Sequence, residues 1–181
     1  MDRERLREVH QTDLTESRVN EDFVDWIKTS GPTWLLVILV ALAAFLGNNG
    51  YQTAITGKWH LGLRPEVGPN HYGFDYTYGY LHGQIDQFTH HYKNGDRSWH
   101  RNGEFLDEEG HATDLITGEA VKIVESKHER PFFLYVAYSV PHHPLDEPER
   151  WTSPYKEKIG ELSRRWFAAS ITHMDQGIGK I

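Results

Sequence analysis

The sequence predicts an α/β fold: a partial parallel or mixed sheet flanked by helices, preceded by a single apolar N-terminal helix. Three observations predict it. Residues 51–56 and 131–138 have the β-branched, aromatic and apolar composition of strands. Residues 113–124 and 159–178 have the apolar spacing of helices, so the order strand, helix, strand, helix indicates a sheet with parallel neighbours. A continuous apolar run, residues 34–46, lies ahead of all four.

The two predicted strands differ in their local patterns. The first, residues 51–56, is expected to stop at Gly57. The second, residues 131–138, is apolar on both faces, which predicts a strand in the middle of a sheet covered by helices. Between them, Asn102 and Gly103 form a turn signal that predicts a small hairpin.

Two helices follow these strands. Thr113 or Asp114 is the expected N-cap of the first helix, and the second covers residues 159–178. The residues predicted to face inward are, in the first helix, Leu115, Ile116, Ala120, Ile123 and Val124 and, in the second, Leu162, Trp166, Phe167, Ala169, Met174 and Ile178.

The first 47 residues differ in charge from the rest. Residues 1–30 form a polar acidic leader with 5 Lys/Arg and 8 Asp/Glu, whereas residues 31–47 carry no charge. The apolar run is short for a bilayer, and only the flanking small residues bring it to the lower limit of about 17. Because no polar face interrupts it, we predict a transmembrane helix at residues 31–47 in preference to a buried core helix.

The distribution of positive residues around this helix predicts an orientation. Arginines and a lysine lie mostly before it, which places the N-terminus in the cytoplasm. Residues 48–181 are then the soluble domain of a membrane-anchored protein, in the periplasm or outside the cell.

Charge and cysteine content exclude several function classes. The formal net charge is −7 and no long basic run occurs, so nucleic acid is not an expected partner. The absence of cysteine excludes disulfides, zinc-thiolate sites and a cysteine nucleophile in this sequence.

Candidate site residues follow the two predicted strands. In α/β sheets, ligands bind beyond the carboxyl ends of the strands. Lys58 and His60 follow the first strand, and His142 follows the second. An ammonium group with imidazoles suits an anion whose leaving oxygen must be protonated. By contrast, the adjacent His90 and His91 would point to opposite faces of a strand, which disfavours a metal pair.

These segments also carry a resemblance to the sulfatase family. GYQTAITGKWHLG at residues 50–62 closely resembles the family segment built around GKWHLG. GFD at 73–75, NGE at 102–104 and TDL at 113–115 follow in the family's order. PFFLYVAYSVPHHPL at 131–145 is similar to the family's buried strand and histidine loop, and HMDQGIGKI at 173–181 to the helix after it.

The resemblance implies an alkaline-phosphatase-like fold and arylsulfatase-type hydrolysis of sulfuric esters, with calcium and a formylglycine nucleophile. Lys58 matches the lysine that contacts sulfate and the formylglycine. His60 matches the histidine that hydrogen-bonds the formylglycine and helps release sulfate. His142 matches the histidine that contacts the sulfate ester and helps protonate the leaving oxygen. The implied substrate is a sulfated small molecule or polysaccharide.

The sequence departs from the family pattern at the nucleophile. It contains no Cys and no Ser-x-Pro-x-Arg segment, and the expected calcium ligands are not found in it either. We therefore predict no metal site in this chain and no turnover by the chain alone. Two alternatives stay open: a membrane-anchored, non-catalytic module that binds anions or sulfate esters, and a phosphoesterase of the same fold.

Overall fold

The computed structural model describes residues 31–181, and the acidic leader lies outside the described residues. The chain divides into two compact units, one ending at Leu42 and the other beginning at Ala43. The second unit contains the sheet. In chain order the elements are α1 Gly31–Asn48, β1 Gln52–Lys58, β2 Tyr76–Tyr80, β3 Trp99–Arg101, β4 Glu104–Phe105, α2 Ala112–Glu125, β5 Phe132–Ala137, α3 Glu149–Thr152 and α4 Leu162–Ile178.

The sheet is mixed, with strand order β4-β3-β2-β1-β5. Strand β1 pairs in parallel with both β2 and β5. Strand β3 pairs antiparallel with both β2 and β4. The predicted α/β class is confirmed. Strand β5, predicted for the middle of the sheet, instead lies at its edge among the described residues. Strand β1 lies between β2 and β5, and its smaller side chains are buried along most of its length.

The first strand is longer than its pattern predicts because Gly57 continues it to Lys58. The φ angle of Gly57 is 106°, and a Cβ there would lie 1.9 Å from the carbonyl oxygen of Ala137. At Gly79 on β2 a Cβ would lie 2.2 Å from the oxygen of Gly57. The glycines therefore mark a close approach of three strands rather than a strand end.

Strand β2 was not predicted, whereas the hairpin after it was. Strand β2 has the sequence YTYGY, in which the tyrosines favour a strand but Gly79 interrupts its pattern. The hairpin is confirmed: β3 and β4 pair across Asn102 and Gly103, which both have positive φ. The main buried cluster forms where this region meets α2 and consists of Tyr78, Tyr80, Ile85, Trp99, Ala112 and Ile116.

Two details of the helices differ from their patterns. Helix α2 is capped by His111, whose Nδ1 accepts from the Thr113 N–H at 3.2 Å, rather than by Thr113 or Asp114. Helix α4 packs closely on α2, since a Cβ at Gly177 would lie 2.5 Å from Thr117 Oγ1. Small residues are needed at such a contact. Three predicted inward residues, Leu162, Phe167 and Ile178, are exposed. The prediction for Ala169 is confirmed, and the other buried positions are Ser170, His173 and Gly177.

The apolar run does form a helix, α1. Within residues 31–181, however, no helix has the length and apolar character required to cross a membrane. The predicted membrane span at residues 31–47 is therefore unsupported. Thirteen apolar residues at about 1.5 Å each cover only about 20 Å of a hydrocarbon core about 30 Å thick. The predicted orientation and cellular location stay predictions.

Candidate active site

The first part of the site is the end of β1 and the two residues after it. The chain stays hydrogen-bonded along β2, because the N–H groups of Trp59 and His60 donate to Tyr80 and Leu81 carbonyls at 2.9 and 3.0 Å. Trp59 is buried, and its Nε1 donates to the Val67 carbonyl at 3.0 Å. The buried indole fixes this extended segment, so the half-exposed Lys58 and the exposed His60 are held beyond the sheet edge.

His60 has an unusual backbone conformation. Its φ of 67° lies in the left-handed region, which non-glycine residues adopt at an energetic cost. Its ring lies directly over Gly83, where a Cβ would come within 2.6 Å of Nε2. A strained residue persists only when its surroundings hold it, and such strain is concentrated at functional sites.

His142 lies in the loop that follows β5. Its N–H donates to the Ser139 carbonyl at 3.2 Å, which forms a turn, and its side chain is exposed. The ring Nδ1 lies 2.6 Å from the carbonyl oxygen of His143. Because a carbonyl oxygen only accepts, Nδ1 must carry the proton of this hydrogen bond. Nε2 is therefore the ring nitrogen left for a ligand or for proton transfer.

The charges of these side chains act on one another. Burial lowers the pKa of His60, and the positive charges of Lys58 and His142 lower it further. Burial also lowers the pKa of Lys58. Lys58 is cationic and no acidic group contributes to the shift of His60, so the site attracts anions, and the lowered pKa keeps His60 largely neutral near pH 7.

A second group of polar side chains was missed by the sequence patterns. His111, Glu147 and His173 are all buried, and one ligand-type atom from each lies within 4.8 Å of the others. His173 Nδ1 donates to Glu147 Oε2 at 2.8 Å, and its Nε2 donates to Asp114 Oδ1 at 3.1 Å. Both ring nitrogens face carboxyl groups, so the ring links two acidic side chains. These residues are far apart in sequence and share no motif, so no local signal could have joined them.

The hydrogen bonds of this group argue against a metal site. His111 Nδ1 accepts from the Thr113 N–H, so the proton of the neutral ring is on Nε2. Nε2 donates to the Asp146 carbonyl at 3.1 Å and lies 3.6 Å from Glu147 Oε1. A metal would have to displace that proton. Two imidazoles and one carboxylate also do not suit calcium, which takes six to eight oxygen ligands.

Other residues considered from the sequence have structural partners. Asp75 accepts from the Thr53 N–H at 3.0 Å, as expected of a structural residue. His90 stacks on Trp99 with ring centroids 4.5 Å apart, whereas His91 bonds the carbonyl of Thr89.

Comparison with known proteins identifies the family. The family model described as Sulfatase matches residues 37–181, beginning inside α1. The chain belongs to the sulfatase family. It is 32% identical to arylsulfatase J of Mus musculus over 171 residues, covering 86% of this chain and 27% of that protein. It is 30% identical to N-acetylgalactosamine-6-sulfatase of Mus musculus over 153 residues, covering 77% and 28%. The sulfatase chain thus spans just over a quarter of the length of these relatives.

Solved structures agree with this assignment and with the mixed sheet. The crystal structure of Ps i-CgsB in complex with k-i-k-neocarrahexaose is similar with a TM-score of 0.68 and 32% identity, covering 76% of this sulfatase chain and 34% of that one. The structure of BT4656 in complex with its substrate D-glucosamine-2-N,6-O-disulfate is similar with a TM-score of 0.52 and 28% identity, covering 65% and 22%.

Proposed function

We propose that this chain recognises the sulfate group of a sulfuric ester through Lys58, His60 and His142. The observation that carries the proposal is the electrostatic convergence of these side chains beyond the carboxyl ends of β1 and β5. A sulfate group placed there is attracted by the Lys58 ammonium and accepts hydrogen bonds from the imidazoles. No described carboxylate contributes to the pKa shift of His60, so little repulsion opposes anion binding.

Each side chain has a distinct role in this proposal. Lys58, at the end of a hydrogen-bonded strand, holds a fixed positive charge against the sulfate oxygens. His142 binds the ester through Nε2, because its Nδ1 is engaged with the His143 carbonyl. Where a nucleophile attacks the sulfur and the S–O ester bond breaks, a protonated Nε2 would transfer its proton to the leaving oxygen. His60 is largely neutral and accepts or donates a hydrogen bond at the nucleophile and the released sulfate.

The proposed ligand class is a sulfated saccharide or a smaller sulfate ester. The support comes from the names of similar proteins: one neighbour was solved with a neocarrahexaose and another with a disulfated glucosamine. Two relatives are named arylsulfatase and N-acetylgalactosamine-6-sulfatase. These names favour a sulfate ester over the phosphoester of the alternative function.

The 181-residue chain by itself is proposed to bind without turnover. Sulfuric ester hydrolysis in this family uses a formylglycine formed from Cys or Ser, and this sequence has neither Cys nor a Ser-x-Pro-x-Arg segment. Calcium would supply charge neutralisation at the sulfate oxygens. The described residues around Lys58, His60 and His142 offer nitrogen donors, so no step of the proposal depends on calcium.

Isothermal titration calorimetry tests the proposal. The 181-residue chain is titrated with inorganic sulfate, inorganic phosphate and 4-nitrophenyl sulfate, with 4-nitrophenol release followed in parallel. Lys58→Met is expected to weaken sulfate binding at least tenfold, equivalent to about 1.4 kcal/mol. Lys156→Met, at an exposed turn, is the matched control and should bind as the wild type does.

Three results would contradict the proposal. Equal sulfate affinity of the wild type and Lys58→Met would remove Lys58 from the site. Tighter binding of phosphate than of sulfate would favour the phosphoesterase alternative. Release of 4-nitrophenol that Lys58→Met abolishes would show that the chain alone is active.

A further inference from the structure

We infer that Gln87 is a positioning residue for His142, an inference that rests on the proposed role of His142 in sulfate ester binding. Gln87 comes from the loop between β2 and β3 and does not belong to either motif around the site. Its side chain is buried, with 1% of its surface exposed. It contacts the histidine loop on both sides of His142.

The contacts are two hydrogen bonds donated by one amide group. Gln87 Nε2 donates to Ser139 Oγ at 3.0 Å and to the Pro144 carbonyl at 3.0 Å. Ser139 precedes His142 by three residues, and Pro144 follows it by two. The amide thus joins the two ends of the short segment that carries the imidazole. The orientation of the amide is determined because the Pro144 carbonyl only accepts, so Nε2 must face it.

Gln87 itself is held firmly. Its main-chain carbonyl oxygen accepts a hydrogen bond from the N–H of Ala112, the first residue of α2, at 2.8 Å. The side-chain oxygen Oε1 is buried without a hydrogen-bond partner. A buried unpaired amide oxygen is unfavourable, so packing efficiency alone does not explain a glutamine at this position. The two donated bonds do explain it, because an apolar side chain of similar shape could not make them.

The histidine loop has few other constraints near His142. The described hydrogen bonds of His142 are local, one to Ser139 and one to His143, and residues 141–144 are exposed. The next anchor along the chain is the Asp146 carbonyl, which accepts from His111 Nε2. Val140 and Leu145 are buried on either side, so loss of the Gln87 bonds leaves the exposed residues 141–144 between them free to sample other conformations. His142 would then lose its fixed distance from Lys58.

The test uses the full 181-residue chain labelled with ¹³C at histidine Cε1. The Gln87→Met variant keeps the length of the side chain and removes both donors. Ser139→Ala removes one of the two bonds with a smaller change, and it serves if Gln87→Met does not fold. Gln52→Met is the matched control, because Gln52 Oε1 bonds His128 Nδ1 at 2.9 Å at the opposite ends of the strands. His142→Asn assigns the His142 signal.

The expected result in the free protein is specific to His142. Gln87→Met and, more weakly, Ser139→Ala should shift or broaden the His142 signal and leave that of His128 unchanged. Gln52→Met should do the reverse. A merely structural role would lower the melting temperature without this selectivity, so an unchanged His142 signal in folded Gln87→Met overturns the inference.

Binding gives the second readout. Gln87→Met is expected to weaken 4-nitrophenyl sulfate binding about tenfold, but less than twofold when His142 is already Asn, because both changes act through one imidazole. Additive losses would overturn the inference. If the wild type does not bind the ester, the proposed function fails, while the His142 signal still decides whether Gln87 orders the loop.

Discussion

Glu147→Gln is the substitution whose effect on stability follows most directly from the structure. Glu147 lies between His111 and His173, and its side chain is fully buried. Glutamine has nearly the same shape, so the change removes a charge and exchanges one acceptor for a donor without leaving a cavity. It therefore isolates the electrostatic contribution of the buried cluster.

The magnitude can be worked from the contacts. In the wild type, His173 Nδ1 lies 2.8 Å from Glu147 Oε2, and the side-chain carbonyl of glutamine can still accept this hydrogen bond. Its NH₂ group would then face His111 Nε2–H across the present 3.6 Å gap, so that two donors oppose each other. His173 also keeps only Asp114 as an acidic partner. Breaking a buried ion pair on one side costs about 3–5 kcal/mol, and we expect about 3 kcal/mol because Asp114 remains.

Urea and thermal unfolding, followed by circular dichroism, measure this loss. About 3 kcal/mol corresponds to a decrease in melting temperature of about 6–12 °C for a domain of this size. Glu129→Gln is the control, since Glu129 is exposed in the turn before β5 and its change should stay within about 0.5 kcal/mol.

A loss below about 1 kcal/mol for Glu147→Gln would refute the assignment of a strong buried contact between Glu147 and His173. The same conclusion would follow if zinc raised the melting temperature of the wild type and Glu147→Gln abolished that effect. The donor assignment of His111 would then be wrong, and the cluster would be a metal site.

Two further predictions concern histidines. Burial lowers the pKa of His100 to about 4. The contribution of His100 to the free energy of unfolding is therefore complete above the unfolded pKa of about 6.5 and is lost as pH falls toward 4, up to about 3 kcal/mol. Urea unfolding at pH 7, 5.5 and 4 should show this decrease, and an equally steep pH dependence in His100→Gln would contradict it. Gly83→Ala places a methyl group 2.6 Å from His60 Nε2 and should displace the imidazole, which weakens sulfate binding severalfold with little effect on folding. The control is Gly118→Ala in α2, which has open space around it and should stabilise the chain by about 0.5–1 kcal/mol. Equal sulfate affinity in both glycine variants would show that the position of His60 does not matter.

Local sequence signals predicted the parts of the fold that depend on local physics. The apolar and β-branched composition of β1 and β5 was sufficient to identify them, as was the Asn102-Gly103 turn between β3 and β4. The convergence of Lys58 with His142 followed from a rule of parallel sheets, in which neighbouring strands end at the same edge. Their roles in sulfate binding stay predictions.

Features that depend on distant contacts could not be predicted. Strand β5 has the composition of a central strand, yet within residues 31–181 it pairs with β1 and no other strand. The inward face of α4 was decided by the close approach of Gly177 to Thr117, which favours small residues over the large ones that periodicity selects. Gln87 and Glu147 stood outside every motif because their partners lie 26 to 57 residues away.

The close approach at Gly57 and Gly79 has a consequence for how this site can change. The edge of the sheet below Lys58 is made of main chain, because no side chain fits at Gly57 and Gly79, where β1 meets β5 and β2. Adjacent strands are held about 4.8 Å apart by their hydrogen bonds. The spacing between the ends of β1 and β5 is therefore set by the sheet, whereas the position of His142 beyond β5 depends on its loop. Sequence changes among such chains have to occur in the loops beyond this edge of the sheet. There, residues that contact the ligand can be exchanged while the spacing of the strands is kept.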